Sequence, residues 1–305
     1  MSLLVVGSVA IDNVETPVER RDDLLGGSAT HFSYAASFFT PVRLVGVVGD
    51  DFPAEHVELL ESRNVSTKGL ERKAGGRTFR WTGRYLDNMN DRETLDVQLN
   101  VFGEFDPVVP EEHRDARYVF LANGVPAVQA KVLSQALDRK IVVADTMDLW
   151  INEHRKDLDA LIGELDGLVL NDSEAKLLTG QQNLVSAGHA VLDMGPRFVI
   201  VKKGEHGAMF IGRDLVGAIE VFTLPAFPTE NVVDPTGAGD SFAGGMMGYL
   251  AEQDAVDPAT LKTAMAYGTV VASFNVEGFG LHRMTEVTRE QIDERLEAYK
   301  RMLAF

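Results

Sequence analysis

Short apolar runs at residues 3–9, 42–49, 118–121, 141–144, 168–170 and 198–201 alternate with longer stretches of helical spacing, and nothing else in the chain limits its fold so strongly. The runs are apolar at nearly every position, not at every second one, as strands covered on both faces are. Helical stretches at 29–39, 53–63, 127–137, 155–164 and 264–274 supply the long crossovers that parallel strands need. An α/β architecture is expected, Rossmann-like, with a mostly parallel central sheet flanked by helices. At 305 residues the chain is long enough for one such domain over its whole length, 1–305, with a small appendage.

The period changes once. Phe79, Trp81 and Tyr85 alternate with Arg80, Thr82 and Arg84, and Leu95, Val97, Leu99 and Val101 alternate with Asp96, Gln98 and Asn100. A polar tip at 86–93 separates the two runs, so they read as a strand pair with one apolar face. Two strands alone cannot bury such a face. Each large apolar side chain left wet forgoes roughly 1.5–3 kcal/mol. Phe79, Trp81, Leu95, Val97, Leu99 and Val101 are therefore expected to pack against the same face of a second copy, giving a homodimer, with Arg80 and Asn100 turned toward substrate.

The chemistry concentrates in Asp234-Pro235-Thr236-Gly237-Ala238-Gly239-Asp240-Ser241. Gly237 and Gly239 let the backbone approach a ligand closely, and an apolar helix follows at 242–250. The first amides of that helix have no intrahelical partner, so the turn is an anion cradle. Asp240 at its mouth is either a cap or a base working beside a phosphate. The helix has no polar face and carries Gly244, Gly245 and Gly248, each costing about 1 kcal/mol relative to Ala. It is expected to be buried, with something packed close to its axis. At the end of the first apolar run, Asp12 stands where parallel sheets bind ligands, suited to substrate hydroxyls or to a turn. Asn171 and Glu174, three apart after the 168–170 run, have capping-box spacing.

With these residues in view, D-x-T-G-A-G-D-x-F resembles the signature of the ribokinase-like (PfkB) carbohydrate and nucleoside kinases. The resemblance extends to Gly26-Gly27, to the inserted strands, and to Asn171-x-x-Glu174, in the family's order. It implies a ribokinase fold with a small β lid built from segments of about 10–25 and 76–103. It implies an ATP-dependent kinase acting on an alcohol, with Asp240 as catalytic base and Gly237, Ala238 and Gly239 as the anion hole. Gly26 and Gly27 would approach the substrate. His31 stands where the family commonly has Asn, and a polar ring there can still bond a sugar or stack on a base. Asn171 and Glu174 would hold Mg²⁺, usually through water. Lys202, Gly204 and Gly207 would run along the nucleotide, and the region of Asn275 would line adenine. Asp234 would help hold a monovalent cation such as K⁺; Pro235 replaces the more usual Thr beside it. A small sugar is the first acceptor expected. An adenosine-like nucleoside, stacking on His31, Phe32, Phe79, Trp81 or Tyr85, is the alternative, and a sugar- or nucleotide-responsive binding protein without activity is the third.

The charge balance narrows the partners. A formal net charge of −17 opposes binding to nucleic-acid backbones and anionic membranes. No apolar run reaches the length of a membrane-spanning helix, and the first apolar run has no basic segment before it. With no cysteine there are no disulfides or thiolate metal sites, and a cytoplasmic location is expected. No G-x-x-x-x-G-K-[ST] pattern occurs, so any nucleotide site is of another kind.

Overall fold

The computed structural model describes residues 2–213 and 217–304. Its strands are β1 (Leu3–Val6), β2 (Ala10–Glu15), β3 (Arg20–Gly26), β4 (Val42–Gly49), β5 (Val65–Lys73), β6 (Phe79–Tyr85), β7 (Arg92–Gln98), β8 (Tyr118–Leu121), β9 (Ile141–Asp145), β10 (Gly167–Asn171), β11 (Phe198–Lys202), β12 (Ala208–Arg213) and β13 (Ile219–Leu224). Nine of them form one sheet in the order β13-β12-β11-β10-β9-β8-β1-β4-β5. From β5 through β11 the neighbours run parallel, and β12 and β13 turn back antiparallel at one edge. Both faces are covered, as the continuous apolar runs require. Leu3 and Val5 of β1 enter one core with Phe32, Met246 and Val270, while Leu4 and Val6 enter the other with Val132, Leu161 and Val191.

Two edge strands have no counterpart in the sequence pattern. β5 carries Lys68, Glu71 and Arg72, and β13 alternates exposed and partly buried positions. Each has only one neighbour, so neither needs the uniform apolar character of the central strands. The helix Ala238–Gln253 is buried along most of its length, and its glycines mark close approaches. A Cβ on Gly244 would lie 2.4 Å from the Phe32 carbonyl oxygen, and one on Gly248 would lie 2.9 Å from that of Ala36. The helix Ser28–Ala36 is thus seated directly against it.

The second sheet has four strands in the order β3-β2-β6-β7, with β2 and β6 parallel. The expected apolar face does not exist as one surface. β7 ends at Gln98, and Leu95 is the extra residue of a bulge between the Thr82–Asp96 and Gly83–Thr94 pairs. Residues Asn100–Glu104 form a 3₁₀ turn that buries Val101 and Phe102 in the body, and Phe79 stacks on Phe102 at 5.5 Å. Leu95, Val97 and Leu99 stay exposed.

The orientation expected for the pair is also reversed. Asp12, Trp81 and Val97 are in register across β2, β6 and β7 and share one face, whereas Arg80 pairs with Ile11 and Gln98 on the other. Arg80 is held there by Asp23 at 2.8 Å and approaches Asp51 at 3.9 Å. Asn100 donates to the Thr78 carbonyl at 2.8 Å and braces the 3₁₀ turn. Neither residue is turned toward the Asp12 face. A pleat offers only two faces, so one choice of register moves every side chain together.

Candidate active site

Gly237 caps the helix Ala238–Gln253 with φ 74°, a left-handed conformation that a side chain resists. A Cβ there would also lie 2.3 Å from the His31 ring. Asp240 is the third residue of the helix, which begins four residues before the 242 that the sequence pattern indicates. The Ala238 amide is taken by the Pro235 carbonyl at 3.1 Å. The next amides, of Gly239 and Asp240, point out of the helix start without intrahelical partners. Lys202, at the end of β11, brings its ammonium to 3.1 Å from where a Gly239 Cβ would stand.

The turn is braced from behind. Asp234 is fully buried; its Oδ1 accepts the Thr236 amide at 2.8 Å and its Oδ2 the Gly280 amide at 3.0 Å. Asn275, also fully buried, donates to the Thr236 carbonyl at 2.8 Å and accepts the Ser241 hydroxyl at 2.9 Å. Asn275, expected to contact the nucleotide, therefore holds the turn and does not line the neighbouring cavity, whereas Ser273 and Val276 do. With Asn275 Oδ1 an acceptor, the His31 Nδ1 at 3.2 Å must be the donor. His31 Nε2 is then a bare acceptor, buried and without a protein partner. Burial pushes the imidazole down to about 4, against the Asn275 bond, so the ring is neutral near pH 7. Phe32, by contrast, stacks on Phe120 at 4.2 Å inside the core.

Acids gather around this turn. Asp12 on β2 receives the Gly27 amide, and a Cβ on Gly26 would lie 1.9 Å from its Oδ2. Gly27, with φ 96°, caps the helix Ser28–Ala36. Burial, reinforced by Asp234, pushes the Asp12 carboxyl up to about 7, against the Gly27 amide and Arg92. Asp240 also rises to about 7, through burial and then the charge of Asp145, with Lys202 and Arg92 pulling the other way. Asp145 ends β9 and bonds the Lys202 ammonium at 3.0 Å. Burial works against that ammonium, but Asp145, Glu174 and Asp240 outweigh it and hold its pKa above the ordinary value.

Asn171 and Glu174 form a full capping box at the end of β10. The Asn171 side chain accepts the Glu174 amide at 2.8 Å, and Glu174 Oε2 accepts the Asn171 amide at 2.6 Å. Glu174 is buried and pushed up to about 7 by desolvation, opposed by Lys202 and aided by Asp145.

A cavity of about 490 Å³ runs from Gly239 and Lys202 past Gly204 and Gly207 to Ser273 and Val276. Its wall includes Asn88, Met89 and Asn90 from the tip of the small sheet. A second groove, of about 520 Å³, lies between Glu15–Pro17 and Arg84–Asn88 and holds none of the buried acids. Two members of the charge cluster have no role in the sequence pattern. Asp145 had a signal, as an acid closing an apolar strand. Arg92 had none, since a cation in a charged hairpin looks like any solvated one.

The description pfkB family carbohydrate kinase belongs to the family profile that matches residues 2–287. A cytidine kinase of Thermococcus kodakarensis is 28% identical over 82% of this chain and 88% of its own. A nucleoside kinase of Methanothermobacter thermautotrophicus is 29% identical over 99% of this chain and 96% of its own. Among solved structures, a Burkholderia thailandensis nucleoside kinase in complex with inosine aligns with a TM-score of 0.78 at 21% identity, covering 97% of this chain and 98% of that one.

Proposed function

Since the chain belongs to the pfkB family of carbohydrate kinases, we propose that it transfers the γ-phosphoryl group of ATP to a hydroxyl of a nucleoside. The observation that carries this is Asp240 in the first turn of a buried helix, beside two unpartnered amides, with the Lys202 ammonium held next to Gly239. Phosphoryl transfer asks chiefly for positioning and for neutralised charge. The acceptor oxygen bonds to phosphorus as its proton passes to Asp240, and the bond to the β-phosphate oxygen breaks to release ADP. A carboxyl held near 7 suits that proton transfer at neutral pH. The Gly239 and Asp240 amides stabilise the oxygens of the group in flight. Asp12 accepts hydroxyls of the acceptor, and His31 Nε2 keeps a lone pair for another.

The nucleotide fits the 490 Å³ cavity, its phosphates toward Gly239 and Lys202. Glu174 spends one oxygen on the Asn171 amide, and no cluster of three acidic or imidazole ligands exists among the described residues. That donor set suits Mg²⁺ held by phosphates and water, with Glu174 as an outer partner; when bound, the ion neutralises phosphate charge. A K⁺ ion would draw on the remaining lone pairs of Asp234.

The acceptor is the point at which the first expectation, a sugar, gives way. The two relatives described above are kinases of nucleosides, while a third long relative, from Halopiger xanaduensis, is an ATP-dependent ribose-1-phosphate kinase. Trp81 on the Asp12 face offers a base an aromatic surface. ADP release from MgATP over a panel of nucleosides and sugars tests the proposal. Release with nucleosides is expected; release with sugars alone, or with none of the panel, would overturn it.

A further inference from the structure

We infer that Met89, at the tip of the small sheet, is a nucleotide-binding residue whose thioether packs against the nucleoside half of the nucleotide. The inference rests on the placement of ATP proposed above. Met89 lines the 490 Å³ cavity together with Asn88 and Asn90. Asn90 Nδ2 donates to Glu205 Oε1 at 3.1 Å, and Glu205 is itself part of the cavity wall. The tip is thereby moored beside Gly204, between the phosphate end at Lys202 and the apolar end at Val276. A nucleotide lying along the cavity passes under Met89 with the part that joins its phosphates to its base.

The backbone shows that this methionine is not there for the sake of the turn. Among the described residues, the non-glycine positions with positive φ are Asp23, Asn64, Met89, Asn100 and Asp254. Four of them are Asn or Asp, which enter the left-handed region most readily; Met89, with φ 55°, is the exception. The turn is fixed by other groups. Asn88 Oδ1 accepts the amides of Asn90 at 3.1 Å and Asp91 at 3.0 Å, and Asn88 Nδ2 donates to Asp91 Oδ2 at 2.8 Å. The Met89 amide donates to the Leu86 carbonyl at 2.8 Å. An asparagine in place of Met89 would keep every one of these bonds and ease the backbone. A side chain held against its own backbone preference at the wall of a ligand cavity has its reason in what it touches there.

The chemistry of the cavity says what that is. Phe227, Pro228, Val232 and Val276 wall it from the large domain, and Met89 is the apolar residue that the small sheet adds, between two asparagines. Phosphates gain nothing from such a side chain, whereas a base and the carbon face of a ribose gain apolar cover. A thioether is unbranched and polarisable, and it seats well against an aromatic ring. The competing account is that Met89 only fills space at the tip.

Calorimetric titration of Met89→Asn and Met89→Leu with ADP, and with inorganic tripolyphosphate, separates the two accounts. Met89→Asn should bind ADP about 5–30-fold more weakly than the wild type, with Met89→Leu recovering part of the loss. Tripolyphosphate, which has no nucleoside half, should bind all three proteins alike. Met89→Asn should melt no lower than the wild type, since asparagine accepts the turn. In protein labelled with ¹³C at the methionine methyls, the resonance missing from Met89→Leu should move when ADP is added to the wild type, and stay with tripolyphosphate. Equal ADP affinity in the wild type and Met89→Asn, an equal loss of tripolyphosphate, or a methyl that ignores ADP each overturns the inference. So does a wild type that binds no ADP. If the wild type binds ADP but phosphorylates no alcohol, the kinase reading fails, and the titrations still decide the role of Met89.

Discussion

At the scale of single residues, Asp240 shows what the fold gives up to make a base. Its folded-state pKa is raised above the ordinary carboxyl value by burial and by Asp145, so ionisation is opposed in the native state. The sign follows. Below about pH 4 the carboxyl is neutral whether folded or unfolded, and its burial is unopposed by charge. As pH rises from about 4 to about 7 the unfolded chain ionises first, and stability is lost until the folded group ionises too. Asp240→Asn removes that loss. Its melting temperature should exceed that of the wild type at about pH 8, with the difference shrinking toward about pH 4.5. Its kcat should fall about 10²–10⁴-fold, and the wild-type kcat should rise with pH through about 7. Scanning calorimetry at both pH values, set beside initial rates, checks the two halves. A mutant that is slow but no more stable at the higher pH would mean that Asp240 is not opposed by its surroundings.

At the scale of elements, the stretch from β10 into the helix Asp172–Thr179 has two jobs that one substitution can separate. The capping box is complete, and losing a cap costs about 0.5–2 kcal/mol. Glu174→Gln can keep the bond to the Asn171 amide while losing the charge, whereas Glu174→Ala loses both. The Gln variant is expected to melt close to the wild type and to need more Mg²⁺ for half-maximal rate; the Ala variant should also melt lower. Equal Mg²⁺ requirements in wild type and Gln variant would reduce Glu174 to a cap. Elements also divide what was legible in the sequence from what was not. The central strands were legible because burial on both faces makes them apolar throughout. The glycine turn was legible because a φ of 74° favours glycine strongly. Edge strands β5 and β13 were not, since half their surface is solvated. The facing of β6 and β7 was not, because alternation reveals two faces without saying which one meets the body. Arg92 was hidden for a related reason, since the acids that feel its charge lie on β2 and in the helices Asp172–Thr179 and Ala238–Gln253, far off in sequence.

At the scale of the molecule, the tip of the small sheet reaches across to the wall of the 490 Å³ cavity. Asn90 Nδ2 donates to Glu205 Oε1 at 3.1 Å, and a Cβ on Gly204 would stand 2.9 Å from Asn90 Oδ1. The sheet that carries Asp12 and Trp81 thus touches the loop that walls the 490 Å³ cavity. An acceptor that steadies the small sheet must favour this contact, and so must a nucleotide that steadies the loop. The two ligands are then expected to tighten each other, by the same factor in either order of addition. One exposed hydrogen bond contributes about 0.5–1.5 kcal/mol, so Asn90→Ala should cut that mutual factor by roughly 2–10-fold. Affinity for either ligand alone should change less, because Asn90 bonds neither Asp12 nor the glycine turn. Calorimetric titration of a non-hydrolysable ATP analogue, with and without saturating nucleoside, measures the factor in wild type and variant. If the analogue binds equally well with and without nucleoside in the wild type, the two sheets are not coupled. If the factor survives in Asn90→Ala, coupling runs through the base of the small sheet, where Gly26 and Gly27 join it to the helix Ser28–Ala36.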